Sequence, residues 1–251
     1  MLKPWLARTL RCAGYQLVNV RKMYEFDGLH TVHNANFRED RRFQSAYLRG
    51  LQATGGVDPH SSWRIHIGLW AASAAARMPG DFVECGVNAG FLSSAILNYL
   101  DWASLDKHFY LVDTFEGPVL AQYSDAEIER GRLSAAKQCL SAGAYVTDME
   151  RIRQNYLEWG RIELIKGRVP DILPSIDVRS IAFLHLDMNC AYPEAAALRH
   201  FWPYISTGGI ALFDDYAYFG CDAQARAISD VASAMGAEIL VLPTGQGMIV
   251  K

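Results

Sequence analysis

The sequence has no CxxC pair and only five cysteines, Cys12, Cys85, Cys139, Cys190 and Cys221, an odd number scattered along the chain. That scatter excludes a disulfide framework and a cysteine-based zinc site, and it reads as reduced, mostly buried thiols. No apolar run reaches the ~18 residues that a membrane span requires. The basic stretch Met1–Gly14 is interrupted by Arg8 and Arg11 and lacks the continuous apolar core of a secretory signal, so a cytoplasmic location is expected. Positive charge is not in excess either. The net charge is −3, which weighs against a nucleic-acid binder that works by neutralising phosphates. Internal repeats and low-complexity tracts are also missing. What remains is an ordinary globular composition: 251 residues, 51% hydrophobic and 20% charged, enough to build a full core.

Two regions differ in pattern. In residues 1–60, Leu2, Leu6, Leu10, Ala13 and Leu17 recur at helical spacing. The stretch Gly28–Asn36 follows no period, and a second helical pattern covers about 39–52. This region reads as a helical extension with an irregular loop, either a packing cap or a lid over a site. Arg8, Arg11, Arg21 and Lys22 give it a basic face. Trp5, Leu6 and Leu10 give it more apolar surface than a solitary extension exposes, so a homo-oligomer is expected.

Residues 61–251 form the second region. A helix runs from Ser61 or Ser62 to about Met78 and stops at Pro79-Gly80. Short apolar runs then alternate with stretches long enough for helical crossovers: Asp81–Cys85, Phe109–Val112, Ile162–Ile165, Ile181–Leu186 and Ile210–Phe213. Such near-continuous runs are expected of parallel strands covered on both faces. Thr147-Asp148-Met149-Glu150 carries a capping-box pattern. After a helix over about 222–235, Glu238–Leu242 and Met248–Val250 read as a hairpin. The expected fold is therefore α/β: a doubly wound seven-stranded sheet with an antiparallel terminal hairpin and an N-terminal helical extension.

Ligands of such sheets bind at the carboxyl ends of the strands. The first run ends Glu84-Cys85-Gly86-Val87-Asn88-Ala89-Gly90. Gly86 and Gly90 are four apart, so this is no G-x-G-x-x-G loop, and no Gly-Lys-Ser/Thr follows. The small residues suit close backbone approach, to a ligand or within a tight turn. The second run ends Asp113-Thr114-Phe115-Glu116-Gly117, where Asp113 can accept from ribose hydroxyls or cap the next helix. The fourth ends His185-Leu186-Asp187 and the fifth Asp214-Asp215. Asp187, Asp214 and Asp215 should converge on one edge, and crowded carboxylates need a compensating cation. Hard oxygen ligands suit Mg²⁺. His185 lies in an apolar run and reads most simply as a core histidine.

These motifs resemble the class I S-adenosylmethionine-dependent methyltransferases. More narrowly, they resemble the sugar O-methyltransferases of the macrocin, mycinamicin and novobiocin pathways. The residues that carry the resemblance are Val83–Val87, Val112–Gly117, Ile165-Lys166-Gly167 running into Leu173-Pro174, Leu184–Asp187, and Gly208–Ile210 leading to Asp214-Asp215-Tyr216. Where family members often have a second acid, this chain has Asn189. The resemblance implies that Glu84, Gly86 and Gly90 line the methionine end of the cofactor. Asp113 would hold its ribose and Gly167 would border its adenine, with Val87, Thr114 and Phe115 in the same set. It implies that Asp187, Asp214 and Asp215 bind Mg²⁺, which docks two hydroxyls of a sugar or glycoside. Asp187 is the first candidate base and His185 the second. A catechol O-methyltransferase, with aromatic walls near Tyr192 and Tyr216, is one alternative. A non-catalytic cofactor-binding pathway protein is another, and a dinucleotide oxidoreductase lacks its glycine pattern.

Overall fold

The computed structural model describes residues 4–15 and 23–251. Leu2, Leu17, Arg21 and Lys22 therefore lie outside the described residues, as does the side chain of Leu6. Helix α1 (Pro4–Cys12) precedes a two-stranded hairpin, β1 (Tyr24–Phe26) and β2 (Leu29–Thr31). Then come α2 (Arg41–Ala53), α3 (Ser62–Ala75), β3 (Asp81–Cys85), α4 (Phe91–Tyr99) and β4 (Phe109–Asp113). Three helices, α5 (Asp125–Glu129), α6 (Arg132–Ser141) and α7 (Met149–Tyr156), lead to β5 (Ile162–Lys166) and β6 (Ile181–Leu186). The chain continues through α8 (Ala191–Phe201), β7 (Ile205–Phe213), α9 (Asp222–Ala234), β8 (Leu240–Val241) and β9 (Gly247–Val250).

The main sheet has the order β5-β4-β3-β6-β7-β9-β8. Strands β3 to β7 run parallel, and β9 pairs antiparallel with both β7 and β8. The chain reverses direction across the sheet at β3 and β6, which opens a crevice at their carboxyl ends. The parallel strands are apolar because both faces are covered. On one face, Phe82, Phe183 and Leu212 pack with residues of α2, α3 and α4, including Ala46, Leu69, Ala72 and Ile96. On the other, Val83, Leu184 and Phe213 meet Leu198 and Phe201 of α8 and Ile228 and Val231 of α9.

Local chemistry sets the helix starts. Asp40 caps α2 by accepting from the Phe43 amide at 2.9 Å. Helix α7 is capped by Asp148, which accepts from the amides of Glu150 and Arg151, so the cap stands at Asp148 rather than at Thr147. Around Gly28–Asn36 the structure differs from the aperiodic loop that the sequence suggests. Asp27-Gly28 turns the β1–β2 hairpin, with positive φ at both residues, the geometry that an Asp-Gly turn favours. The fifth strand also begins earlier than its apolar run, at Ile205. Cys85, Cys190 and Cys221 are buried, Cys12 and Cys139 are exposed, and all five are free. Among the described residues, no helix is long and apolar enough to cross a membrane.

Candidate active site

The turn after β3 is built around Gly86. Its φ is +91°, and a Cβ there would lie 1.9 Å from the Asp187 carbonyl oxygen. Only glycine lets the β3 and β6 ends approach this closely. Asp113, at the end of β4, ties the same turn down. Its Oδ2 accepts from the amides of Val87 and Asn88 at 2.7 and 2.9 Å, and its Oδ1 from the amide of Phe115 at 2.7 Å. Asn88 also has a left-handed backbone, with φ +49°. Its amide side chain accepts from Val146 N and donates to Ala144 O, fixing the segment after α6 against the turn.

Two clefts open on this framework. One is bordered by Asp113, Thr114, Tyr145, Gly167 and Val169. The other, of about 800 Å³, is bordered by Glu84, Val87, Arg64, His185, Asp214 and Asp215. Both are also lined by Gly86, Asn88, Asp187 and Asn189, so they meet there. The volume is in the range of small-molecule sites. Of the residues expected to touch a cofactor, Gly90 and Phe115 border neither cleft. The Tyr156 hydroxyl would lie 2.0 Å from a Cβ at Gly90, so the small residue makes room for α7. Phe115 is buried in the core. Gly167 borders the first cleft, but a Cβ there would meet the Ile172 side chain at 2.6 Å.

The three acids do converge. Asp187 Oδ1 accepts from Asn189 Nδ2 at 3.0 Å. Asp214 Oδ1 accepts from Gln246 Nε2 at 2.9 Å. Between them and the β1–β2 hairpin lies Arg64 of α3, which no sequence motif singles out. Its Nη1 donates to the Asp214 carboxylate and, at 3.1 Å, to the Asp214 carbonyl. Nη1 and Nη2 both reach Asp215 Oδ1 at 3.1 Å. Nε lies 2.7 Å from Asp27 Oδ2, an ion pair outside hydrogen-bond alignment, and the guanidinium stacks 4.5 Å from the Tyr218 ring centroid. Arg132 stands 3.6 Å from the second oxygen of Asp215 and donates to Asn189 Oδ1.

The expected Mg²⁺ site is not open in this arrangement. Among the described residues, no group of three or more His, Cys, Asp or Glu side chains stands ready to hold a metal ion. Arg64 engages Asp214 Oδ2 and Asp215 Oδ1, and Gln246 engages Asp214 Oδ1.

These charges shape one another. Burial alone would raise Asp214, but Arg64 and His185 hold its carboxyl well below the usual range. Burial raises Asp215, and the Asp214 charge adds to this against the pull of Arg64 and Arg132. Asp187 is raised well above the usual carboxylate range by burial and by Asp214 and Asp215. His185 is buried, with Nδ1 2.9 Å from Glu84 Oε1 and Nε2 3.9 Å from Asp214 Oδ1. Burial opposes its charge, but the two carboxylates prevail and push it up to about 10. Glu84 Oε2 is buried beside the larger cleft without a hydrogen-bond partner.

The sequence and fold match a known group. The family model described as Macrocin-O-methyltransferase (TylF) matches residues 69–236, and the chain belongs to that family. It is 28% identical over 156 residues to the 8-demethyl-8-(2,3-dimethoxy-alpha-L-rhamnosyl)-tetracenomycin-C 4'-O-methyltransferase of Streptomyces olivaceus, covering 59% of this chain and 57% of that protein. It is 24% identical over 151 residues to the mycinamicin III 3''-O-methyltransferase of Micromonospora griseorubida, covering 57% of this chain and 58% of that protein. The chain thus spans a little over half the length of the curated relatives it matches. Among solved structures, the O-methyltransferase NovP superposes with a TM-score of 0.62 at 20% identity, covering 75% of this chain and 79% of that one. The calicheamicin methyltransferase CalS11 superposes with a TM-score of 0.58 at 15% identity, covering 94% and 98%. The fold is that of the class I methyltransferases.

Proposed function

We propose that the chain transfers the methyl group of S-adenosylmethionine to a hydroxyl on a sugar of a glycosylated small molecule. The observation that carries this reading is the meeting of two clefts at Gly86 and Asp187. A methyl donor laid across this junction, its ribose side in the smaller cleft and its methionine end at Glu84, can face an acceptor in the larger cleft beside Asp187. Family membership supports the reaction. The sugar acceptor is supported by the relatives whose names specify rhamnosyl-tetracenomycin and mycinamicin III as substrates.

The residues fit the cofactor. Glu84 Oε2, buried and unpartnered, suits the ammonium of its methionine end. Asp113 and Thr114 border the smaller cleft at the place suited to ribose, and Gly167 borders the same cleft. When bound, the cofactor supplies a methyl group already activated by the sulfonium. The protein's own work is to align the acceptor oxygen and to take its proton. Alignment alone can supply ~7–11 kcal/mol. We assign proton transfer to Asp187. Asn189 holds its Oδ1, and Oδ2 has no hydrogen bond among the described residues. His185, pushed up to about 10 by Asp214 and Glu84, is the poorer base near neutral pH, and its Nδ1 is engaged with Glu84. The acid pair that would hold Mg²⁺ is engaged by Arg64.

The two tyrosines that the catechol alternative invokes lie away from the clefts. Tyr216 packs against Gly247 and bonds Ser229, Tyr192 is more than half exposed, and neither borders the clefts. The exposed Trp70 and Trp5 support self-association of the chain. Calorimetry with S-adenosylhomocysteine tests cofactor binding. Mass spectrometry of a panel of glycosides and catechols incubated with S-adenosylmethionine tests the transfer. A single added methyl on a sugar hydroxyl is expected. Methylation confined to catechols, or no cofactor binding, would overturn the proposal.

A further inference from the structure

The acid cluster at the ends of β6 and β7 does not lack a cation, since it already holds one. Arg64 is 8% exposed, and its charge is met on three sides, by Asp27, Asp214 and Asp215. A fourth side is the ring of Tyr218. For a divalent ion to sit among Asp187, Asp214 and Asp215, each must turn an oxygen towards it. Both Asp214 oxygens are engaged: Oδ2 and the carbonyl accept from Arg64 and Oδ1 accepts from Gln246, so a metal ion would have to displace or share these donors. Asp215 gives Oδ1 to both guanidinium nitrogens and turns Oδ2 to Arg132. The fourth nearby position that could have been acidic is the neutral Asn189, which bridges Asp187 and Arg132. Around Asp27, Asp214 and Asp215 stand two guanidinium groups, Arg64 and Arg132.

We infer that Arg64 is the resident cation of this cluster, a positioning residue that neutralises and orients the Asp214–Asp215 pair in the role a divalent ion would otherwise fill. The socket suits this group. A guanidinium is planar and more weakly hydrated than an ammonium, and its fork matches two carboxylates at once. Removing it would leave buried like charges facing one another, the condition under which a metal site becomes favourable. The inference rests on the proposed methyl-transfer reading only for what the cluster faces, not for how its charge is balanced.

Mn²⁺ titration of the full chain, followed by electron paramagnetic resonance and by calorimetry, tests the balance directly. The wild-type protein is expected to show no saturable Mn²⁺ site in the micromolar range, and its melting temperature should be the same with and without chelator. Arg64→Gln, which vacates the socket, should gain a single Mn²⁺ site at least about tenfold tighter than any wild-type binding, a difference of ~1.4 kcal/mol. Arg64→Lys should stay metal-free like the wild type. A saturable wild-type site that a chelator empties would overturn the inference, as would a folded Arg64→Gln protein that gains none. If Arg64→Gln does not fold, the wild-type and Arg64→Lys titrations decide. S-adenosylhomocysteine binding, measured on the same samples, is the separate readout. Its loss throughout would strike the proposed function and leave the metal result standing.

Discussion

His185 lies between Glu84 and Asp214 and keeps its proton up to about pH 10, whereas an unfolded histidine loses it near ~6.5. Between those values the folded chain holds a proton that the unfolded chain releases. This contribution to stability is therefore complete below ~6.5 and is lost as pH rises through about 10. The melting temperature should fall between pH 7 and pH 10, and His185→Gln should flatten that fall, as thermal melts by circular dichroism can check. Asp187 belongs to the rate instead. Asp187→Asn should lower turnover by ~10²–10⁴-fold while S-adenosylhomocysteine affinity, read by calorimetry, changes little. With Asp187 raised by burial and by its acidic neighbours, turnover of the wild type should climb with pH on the acid side, as a pH–rate profile would show. The acids were legible in the sequence because each follows directly on an apolar run. Arg64 was not, because a lone arginine in a helical stretch reads as a surface charge. Its burial is decided by Asp214 and Asp215, 150 and 151 residues away.

At the scale of elements, the turn after β3 is the least tolerant piece. Gly86→Ala combines a left-handed backbone with a Cβ pressed on the Asp187 carbonyl and should cost about 3 kcal/mol or more, measured by denaturant unfolding. Gly90→Ala meets a side-chain hydroxyl instead. Tyr156→Phe in the same chain should recover part of its cost, giving a coupling of ~1 kcal/mol in a double-mutant cycle. The β1–β2 hairpin is held at its tip by Asp27, which contacts Arg64 and the Tyr218 hydroxyl. Asp27→Ala should speed amide exchange across 24–31 and leave the β6 amides protected, by hydrogen-exchange mass spectrometry. The five parallel strands were readable from apolar runs of the right length. This hairpin was not, since strands of three residues carry too little alternation to register. Its one local signal was the Asp27-Gly28 turn. The two faces of the terminal hairpin were visible, but its placement with β9 inside and β8 outside was not, because register depends on which strand finds β7.

For the whole molecule, the boundary near residue 60 that the pattern change suggests does not separate the packing. Helix α2 lies on α4, where a Cβ at Gly50 would meet the Phe91 ring at 2.6 Å. Arg49 bonds Asn155 and Glu158 and stacks over Trp159. We expect one calorimetric transition with equal calorimetric and van't Hoff enthalpies; two transitions would make residues 1–60 an independent unit. The sheet also has an order of completion. Strand β9, which joins β7 to β8, is the last strand of the sheet in the chain, and Lys251 beyond it donates to the carbonyls of Trp202 and Ile205. While the chain is being made on the ribosome, β7 with Ile210 and Leu212 must wait beside an open edge until residue 250 has left the exit tunnel. Nascent chains stalled before Gly247 therefore carry an unpaired strand edge, the surface on which chaperones and aggregation compete.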